Sequence, residues 1–285
     1  MSRPADPLVS VTGLAKAREQ YLILEAGARK VDGQEREVAL QRHVYAQGHI
    51  PGAVFADLAG DFSDPASPWP YQRPGAERFT QAARKAGVDT ACRLLIYDRG
   101  EGIWAARLWW LFRAYGHDSV QVLDGGLKAW RAAGLPLEQG AAPARFGNFT
   151  AGPERAGYFV DRQDVQAIVE GSRTGQLLNV LRRPVFTGEE LRYQRPGHIP
   201  GSQHVPYGTL LAPESARLLP AETLRSRFAR LNARSPIIVY CGSGITAAGS
   251  ALALSVAGRQ DVAIYDGSLV EWSADPALPL VTVAS

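Results

Sequence analysis

Cysteine is scarce in this chain, whose 285 residues carry two, Cys92 and Cys241. Two thiols do not build the disulfide framework of a small secreted domain, so a reducing, cytoplasmic setting is expected. Long apolar runs are missing too. The most apolar stretches, residues 103–112 and 247–258, fall short of the roughly 20 residues that span a bilayer, and Arg107 interrupts the first. The opening residues, Met-Ser-Arg-Pro-Ala-Asp-Pro, contain no apolar core, so no secretory leader and no membrane attachment are expected. No run of Lys and Arg and no interleaving of aromatic with basic residues marks a nucleic-acid surface, and the net charge is only +3. A small anionic substrate fits that balance. The glycines form no Walker-type or dinucleotide loop, and His43, His117 and His204 lack metal-ligand spacing. Neither cofactor nor metal is therefore expected.

What is present is a globular composition, 46% hydrophobic and 21% charged, long enough for one large or two ordinary domains. The most informative segment is residues 237–246, Ile-Ile-Val-Tyr-Cys-Gly-Ser-Gly-Ile-Thr. A short apolar β-type run delivers Cys241 into a glycine-rich loop with a helix-compatible stretch behind it. Gly242 and Gly244 let the backbone curl so that successive N–H groups point at whatever sits on the sulfur. A helix from Thr246 would add its positive N-terminal end. Both effects favour thiolate over thiol, and a cradle of donors suits equally a sulfur-bearing adduct. A cysteine closing a buried strand is often a small core hydrophobe. Glycines on both sides of Ser243 speak for the functional reading, since a structural cysteine needs no such loop.

The chain repeats itself once. Gly-His-Ile-Pro-Gly at 48–52 returns at 197–201, with His198 lying 149 residues after His49. Leu-Leu-Ile-Tyr-Asp at 94–98 returns as Ile-Ile-Val-Tyr-Cys at 237–241, an offset of 143, and the Asp-Gly-Gly box at 124 returns as Asp-Gly-Ser at 266, an offset of 142. Three matches in one order at nearly one offset describe a duplicated domain pair. The expected boundaries are 1–140 for the first domain, 141–157 for a linker rich in Ala, Gly and Pro, and 158–285 for the second. Within each copy β-branched runs (94–97, 119–123, 177–180, 237–240, 262–265) alternate with helix-like stretches (76–87, 103–115, 220–232, 246–257). That alternation predicts α/β domains, each a mainly parallel sheet with helices on both faces. Reactive groups in such sheets sit just past the carboxyl ends of strands, where Cys241 stands.

The first copy is an internal control. Asp98 holds the place of Cys241, and an aspartate cannot carry a sulfur adduct, so the 1–140 domain is expected to be catalytically silent and to wall one side of a cleft. Cys92 lies off the motif and reads as structural. His49 and His198 occupy the same turn in both copies, silent one included, and so read as architectural. Trp130 and Trp272 follow the same logic. A cysteine phosphatase would place an arginine six positions after its cysteine to hold phosphate bidentately; Ala247 stands there, which argues against that class.

The tandem repeat, the two Gly-His-Ile-Pro-Gly boxes, the Asp-Gly boxes and the Cys-Gly-Ser-Gly-Ile-Thr-Ala loop together resemble the two-domain rhodanese-type sulfurtransferases over nearly the whole chain. The resemblance implies two tandem rhodanese-like domains and transfer of a sulfane sulfur through a Cys241 persulfide. Cys241 and Ser243 are then the catalytic pair, with Gly242, Gly244, Ile245 and Thr246 forming the persulfide-binding loop. The loop differs by Ile245 alone from the Cys-Gly-Ser-Gly-Val-Thr-Ala pattern of the 3-mercaptopyruvate branch, whereas thiosulfate-using members carry charged residues after the cysteine. Thiosulfate, a dianion, benefits from such a cation; mercaptopyruvate carries its charge on a carboxylate held further away. The acceptor implied is a thiol, such as thioredoxin or a low-molecular-weight thiol, or cyanide. Three family positions depart from the branch: Tyr71 aligns with its histidine, Ala59 with its acid, and Val185 with an arginine before Phe186. Arg182, Arg183, Arg192 and Arg195 are the candidates to grip the donor's anionic group. Two alternatives stay open, a thiosulfate sulfurtransferase and a non-catalytic sulfur-sensing or binding module.

Overall fold

The computed structural model describes residues 6–27, 36–143 and 145–283. The chain divides into two units, one formed by Met1–Arg155 with Pro213–Leu218, the other by Ala156–Ala212 with Leu219–Ser285. In the first, β1 (Leu8–Val9), α1 (Val11–Ala17), β2 (Leu22–Gly27), α2 (Arg36–Gln47), β3 (Ala53–Asp57), α3 (Ala76–Lys85), β4 (Leu94–Tyr97), α4 (Ile103–Ala114), β5 (Val120–Leu123) and α5 (Gly126–Ala132) follow in order. The second runs β6 (Phe159–Val160), α6 (Arg162–Val169), β7 (Gln176–Asn179), α7 (Arg183–Thr187), β8 (Gln203–His204), α8 (Ala221–Arg227), β9 (Ile237–Tyr240), α9 (Ile245–Val256), β10 (Val262–Tyr265) and α10 (Ser268–Trp272).

Each unit holds one five-stranded sheet, ordered β1-β5-β4-β2-β3 and β6-β10-β9-β7-β8. Every neighbouring pair is parallel. The two orders are the same order, as the repeat offsets lead one to expect. β4 and β9 lie at the centres and every residue of both is buried, which is why they read as unbroken apolar runs rather than alternating ones. In unit 1 Leu95 and Tyr97 pack with Val11 and Leu14 of α1 and Leu127 and Trp130 of α5. Leu94 and Ile96 alternate to the other face, where α4 packs on the strands. α9 carries Ala, Gly, Ser and Leu and is buried on every side from Ile245 through to Leu254 apart from Thr246; its small residues let it lie close on the sheet.

Two expectations shift. The helix expected over 220–232 stops at Arg227, because the following residues turn to offer carbonyls outward: Asn232 accepts from the Gln176 and Arg259 side chains, at 2.8 and 3.1 Å. Most of the segment expected as a linker belongs to unit 1. Gly147 N–H donates to Arg84 O at 2.9 Å and Phe149 N–H to Val88 O at 3.0 Å. The Phe149 ring lies against Phe79 and Phe112 with centroids 5.9 and 5.8 Å away. Small residues there serve close approach to a neighbouring backbone, which composition alone does not distinguish from flexibility.

The histidines couple the fold to pH. Burial pushes His117, His198 and His204 below the ordinary histidine range. A group held neutral when folded leaves the unfolded chain to bind the extra proton, so stability is unaffected above about pH 6.5 and is lost as pH falls below it. Denaturant midpoints measured from pH 8 to pH 5 should therefore decline below about pH 6.5; a flat profile across that window would refute the buried neutral state.

Candidate active site

β9 ends at Tyr240 and presents Cys241, 2% exposed, at the carboxyl end of the central strand of unit 2. The residue is fixed from beneath. Cys241 N–H donates to Ser268 Oγ at 3.1 Å, and that hydroxyl donates to Tyr265 O at 2.8 Å. Ser268 itself sits in the left-handed region, φ 49°, a strained setting for a residue with a side chain. Leu269 N–H and Val270 N–H, at the start of α10, take the carbonyls of Cys241 and Gly242 at 3.1 and 2.9 Å. Since peptide C=O and N–H point oppositely, the N–H groups of Gly242 and Ser243 are turned away from α10. Gly244 then caps α9 with φ 78°, a conformation that glycine adopts without penalty. Gly242, Gly244 and Ile245 are buried, while Ser243 and Thr246 are half-buried. Ile245 faces the core as the first residue of α9, so its contribution to the loop is its backbone.

Unit 1 shows what such a loop holds. Asp98, 1% exposed, stands at the end of β4 as Cys241 does at the end of β9. Its Oδ1 accepts from the N–H groups of Gly100 and Gly102 at 2.9 and 3.0 Å, and its Oδ2 from those of Trp104 and Ala105 at 3.0 and 3.1 Å. Burial pushes the carboxyl up from the usual carboxylate range and the four amides pull it back. With each oxygen already taking two N–H donors, the geometry is that of the ionised form. Gly102 caps α4 with φ 83°, matching Gly244, but it lies four residues after Asp98 rather than three. That extra residue is what drops the repeat offset from 143 to 142. Tyr71, in left-handed backbone at φ 61°, lays its ring edge-on to Trp104 at 5.2 Å.

The Gly-His-Ile-Pro-Gly boxes brace the same strand ends. Ile50 N–H donates to the Tyr97 hydroxyl and Ile199 N–H to the Tyr240 hydroxyl, both at 3.1 Å. His49 stacks on Tyr45 at 4.0 Å with Nδ1 3.0 Å from Tyr45 O, and His198 stacks on Phe186 at 3.7 Å with Nδ1 2.8 Å from Phe186 O. Each imidazole is thus tied to the backbone carbonyl of the aromatic residue it stacks on, an architectural use. Cys92 is unpaired and half-buried, and burial raises its thiol.

The four candidate arginines separate. Arg195 is a structural clamp: it donates to the carbonyls of Ser273, Leu278, Trp272 and Asp275 at 2.9, 2.9, 3.2 and 2.5 Å. Committed to four carbonyls, it has no free face for a donor, which corrects the expectation that it binds substrate. Arg182 donates through Nη2 to both carboxylate oxygens of Glu190, at 2.7 and 2.8 Å. Arg183 is exposed on α7, with its charge felt by His204. Arg192 is exposed and its charge acts on Tyr193, which also feels the charge of Cys241; of the four, Arg192 is the one linked to the cysteine through a shared neighbour. Val185 is buried, 3% exposed. Residue-level reading missed Ser268 and Tyr193. The Asp-Gly-Ser box signalled the first only as a repeat, and nothing local to residue 193 signals its approach to residue 242. Among the described residues no group of His, Cys, Asp and Glu could hold a metal ion, and no helix is long and apolar enough to cross a membrane.

The family model described as Rhodanese-like domain matches residues 24–133 and again 182–275. The chain belongs to the rhodanese-like family. The 3-mercaptopyruvate sulfurtransferase of Escherichia coli K12 is 37% identical to this rhodanese-like chain over 269 residues, 92% of each. A protein of Arabidopsis thaliana named thiosulfate/3-mercaptopyruvate sulfurtransferase 1, mitochondrial, is 35% identical over 99% of the chain and 79% of its own length. The crystal structure of the Escherichia coli 3-mercaptopyruvate sulfotransferase SseA superposes with a TM-score of 0.81 at 35% identity, over 93% of the rhodanese-like chain and 99% of that structure. The rhodanese-like chain is an enzyme of the sulfurtransferase class.

Proposed function

We propose that the chain transfers a sulfane sulfur from 3-mercaptopyruvate through a Cys241 persulfide to a thiol or cyanide acceptor, with unit 1 catalytically silent. The observation that carries this reading is the Asp98 carboxylate in its ring of four amides. The unit 1 donors Gly102, Trp104 and Ala105 correspond, counted from the helix start, to Gly244, Thr246 and Ala247. A loop that cradles a buried anion in one copy is matched, in the other, to an anion built on the Cys241 sulfur. The Cys241 thiolate attacks the donor's sulfur, the C–S pair departs as pyruvate enolate, and once the persulfide S–H has passed its proton to that product the loop amides hold the persulfide anion. An acceptor thiolate then attacks the outer sulfur and releases Cys241. Ser243, half-buried beside the cysteine, is placed to orient the donor through its hydroxyl. Both cysteines are unpaired, which fits a reducing cytoplasmic setting, and thioredoxin or a small thiol fits as acceptor.

The donor preference has its own support. A side chain at position 242 would overlap the Tyr193 phenol, whose Cζ lies 2.7 Å from where a Cβ would stand. A cation directly after the cysteine, where a thiosulfate dianion would profit from one, would have to displace that phenol. Thiosulfate remains the second reading, favoured by the name of the Arabidopsis relative. Intact mass after incubation with each donor separately tests the assignment: a gain of one sulfur atom with mercaptopyruvate is expected. Gain with thiosulfate alone would overturn the donor assignment, and gain with neither would support the sensing or binding module instead.

The arginines give a second test. Arg192→Ala should raise the KM for donor about tenfold with unfolding unchanged, since an exposed charge-assisted contact is worth on the order of 1–2 kcal/mol. Arg195→Ala should lower stability by about 2–3 kcal/mol, through the loss of four carbonyl contacts, with donor KM intact. The opposite pattern in steady-state kinetics and thermal melts would return Arg195 to the donor site.

A further inference from the structure

We propose that the Tyr193 hydroxyl is the proton donor to the leaving enolate in sulfur transfer at Cys241. This rests on the reading of Cys241 as the nucleophile and mercaptopyruvate as the donor.

The placement comes from packing. The ring of Tyr193 packs against the apolar core of unit 2, while its hydroxyl end closes over Gly242, where a Cβ would meet Cζ at 2.7 Å and Cε1 at 3.0 Å. A glycine directly after the nucleophile is therefore the condition for the phenol to reach the loop. Unit 1 uses the equivalent space differently. There Arg99 follows Asp98 and reaches back to Glu25, Nε to Oε1 at 2.5 Å, and to Gly48 O at 2.7 Å. In the silent copy the position is filled by a structural ion pair; in the cysteine-bearing copy it is cleared for a hydroxyl.

The hydrogen bonding leaves a proton to give. The Arg192 charge acts on the Tyr193 phenol, and among the described residues the phenolic proton has no acceptor. The Ser268 hydroxyl beneath the cysteine is already committed, donating to Tyr265 O and accepting from Cys241 N–H. Burial, and after it the charge of Cys241, raises the phenol to about 12 while Arg192 pulls it down. Tyr193 is therefore protonated at neutral pH and close in acidity to an enol, the match at which proton transfer to an enolate oxygen is efficient.

The step balances. The Cys241 thiolate bonds to the sulfur of mercaptopyruvate, the S–C bond breaks, and its electron pair passes into the pyruvyl group as the enolate. Tyr193 protonates the enolate oxygen, so the product leaves as the enol. The persulfide S–H, formed from the donor's thiol, returns its proton to the Tyr193 phenolate and remains as the persulfide anion among the loop amides. Arg192 stabilises the transient phenolate. With thiosulfate the group that leaves is sulfite, which needs no proton.

The test is Tyr193→Phe in the full chain, which keeps the ring on the core. Single-turnover loading of Cys241, followed by intact mass, should slow about 100-fold with mercaptopyruvate with the KM for mercaptopyruvate held. With thiosulfate, or an aryl thiosulfonate, loading should stay within about twofold of wild type. Equal slowing with every donor, unchanged loading from mercaptopyruvate, or a raised KM with kcat intact would each overturn the assignment. Should neither sulfite-type donor load the wild type, the kcat against KM split with mercaptopyruvate decides alone. Wild type that fails to load from mercaptopyruvate would instead overturn the donor assignment, and with it this one, before the variant is read.

Discussion

Cys241→Ser should abolish sulfur transfer, with turnover down by about 10⁴-fold or more and no sulfur gain on the protein by intact mass. Serine fits the 2%-exposed site and can keep the backbone contacts with Ser268 and Leu269, so the loss is chemical rather than structural. A hydroxyl is scarcely ionised at neutral pH and its oxygen does not take up sulfane sulfur, whereas a thiolate does both. Cys92 supplies no substitute, since burial raises its thiol and so disfavours its anion. Persistent mass gain in the serine variant, mapped to Cys92, would show that the reactive sulfur had been misassigned.

Gly147→Ala is the corresponding structural test, with an expected loss of about 3 kcal/mol or more. Its Cβ would overlap the carbonyl of Val88, with Val88 N at 2.7 Å, and backbone cannot rotate away as a side-chain end can. The backbone around Gly147 is pinned on both flanks, by Gly147 N–H to Arg84 O and Phe149 N–H to Val88 O. For a unit of this size each kcal/mol lowers the melting temperature by about 2–4 °C. Gly75→Ala is the control, since nothing lies within 4 Å of its Cβ position and its φ is −65°. Equal melting temperatures for the two variants would mean that the 145–155 segment is not docked on unit 1.

The sequence was most legible where one physical requirement dominates. β4 and β9 sit at the centre of parallel sheets, so their runs are apolar throughout and their ends are readable to the residue. The Cys241 loop stands out in the sequence because glycines on both sides of Ser243 have no reason to be there in a plain core strand. Reading failed where the partner is distant in sequence. Arg195 looks like its neighbours Arg182 and Arg192, and only the carbonyls of residues 272–278 reveal it as a clamp. Tyr193 lies 48 residues before the loop it overhangs, and the clearance at Gly242 is visible only once both are folded. The segment around Phe149 misled for the opposite reason, since Ala, Gly and Pro also mark loose connections.

The extra residue between Asp98 and Gly102 bears on the ancestry of the pair. Placing a cysteine at position 98 would set its sulfur against amides spaced for a carboxylate, with Gly102 four positions on where Gly244 is three. Restoring chemistry to the first unit thus needs a substitution and a deletion together, either alone leaving cradle and sulfur out of step. The two loops are thus separated by two coupled changes, so a single-codon change at position 98 does not convert one into the other.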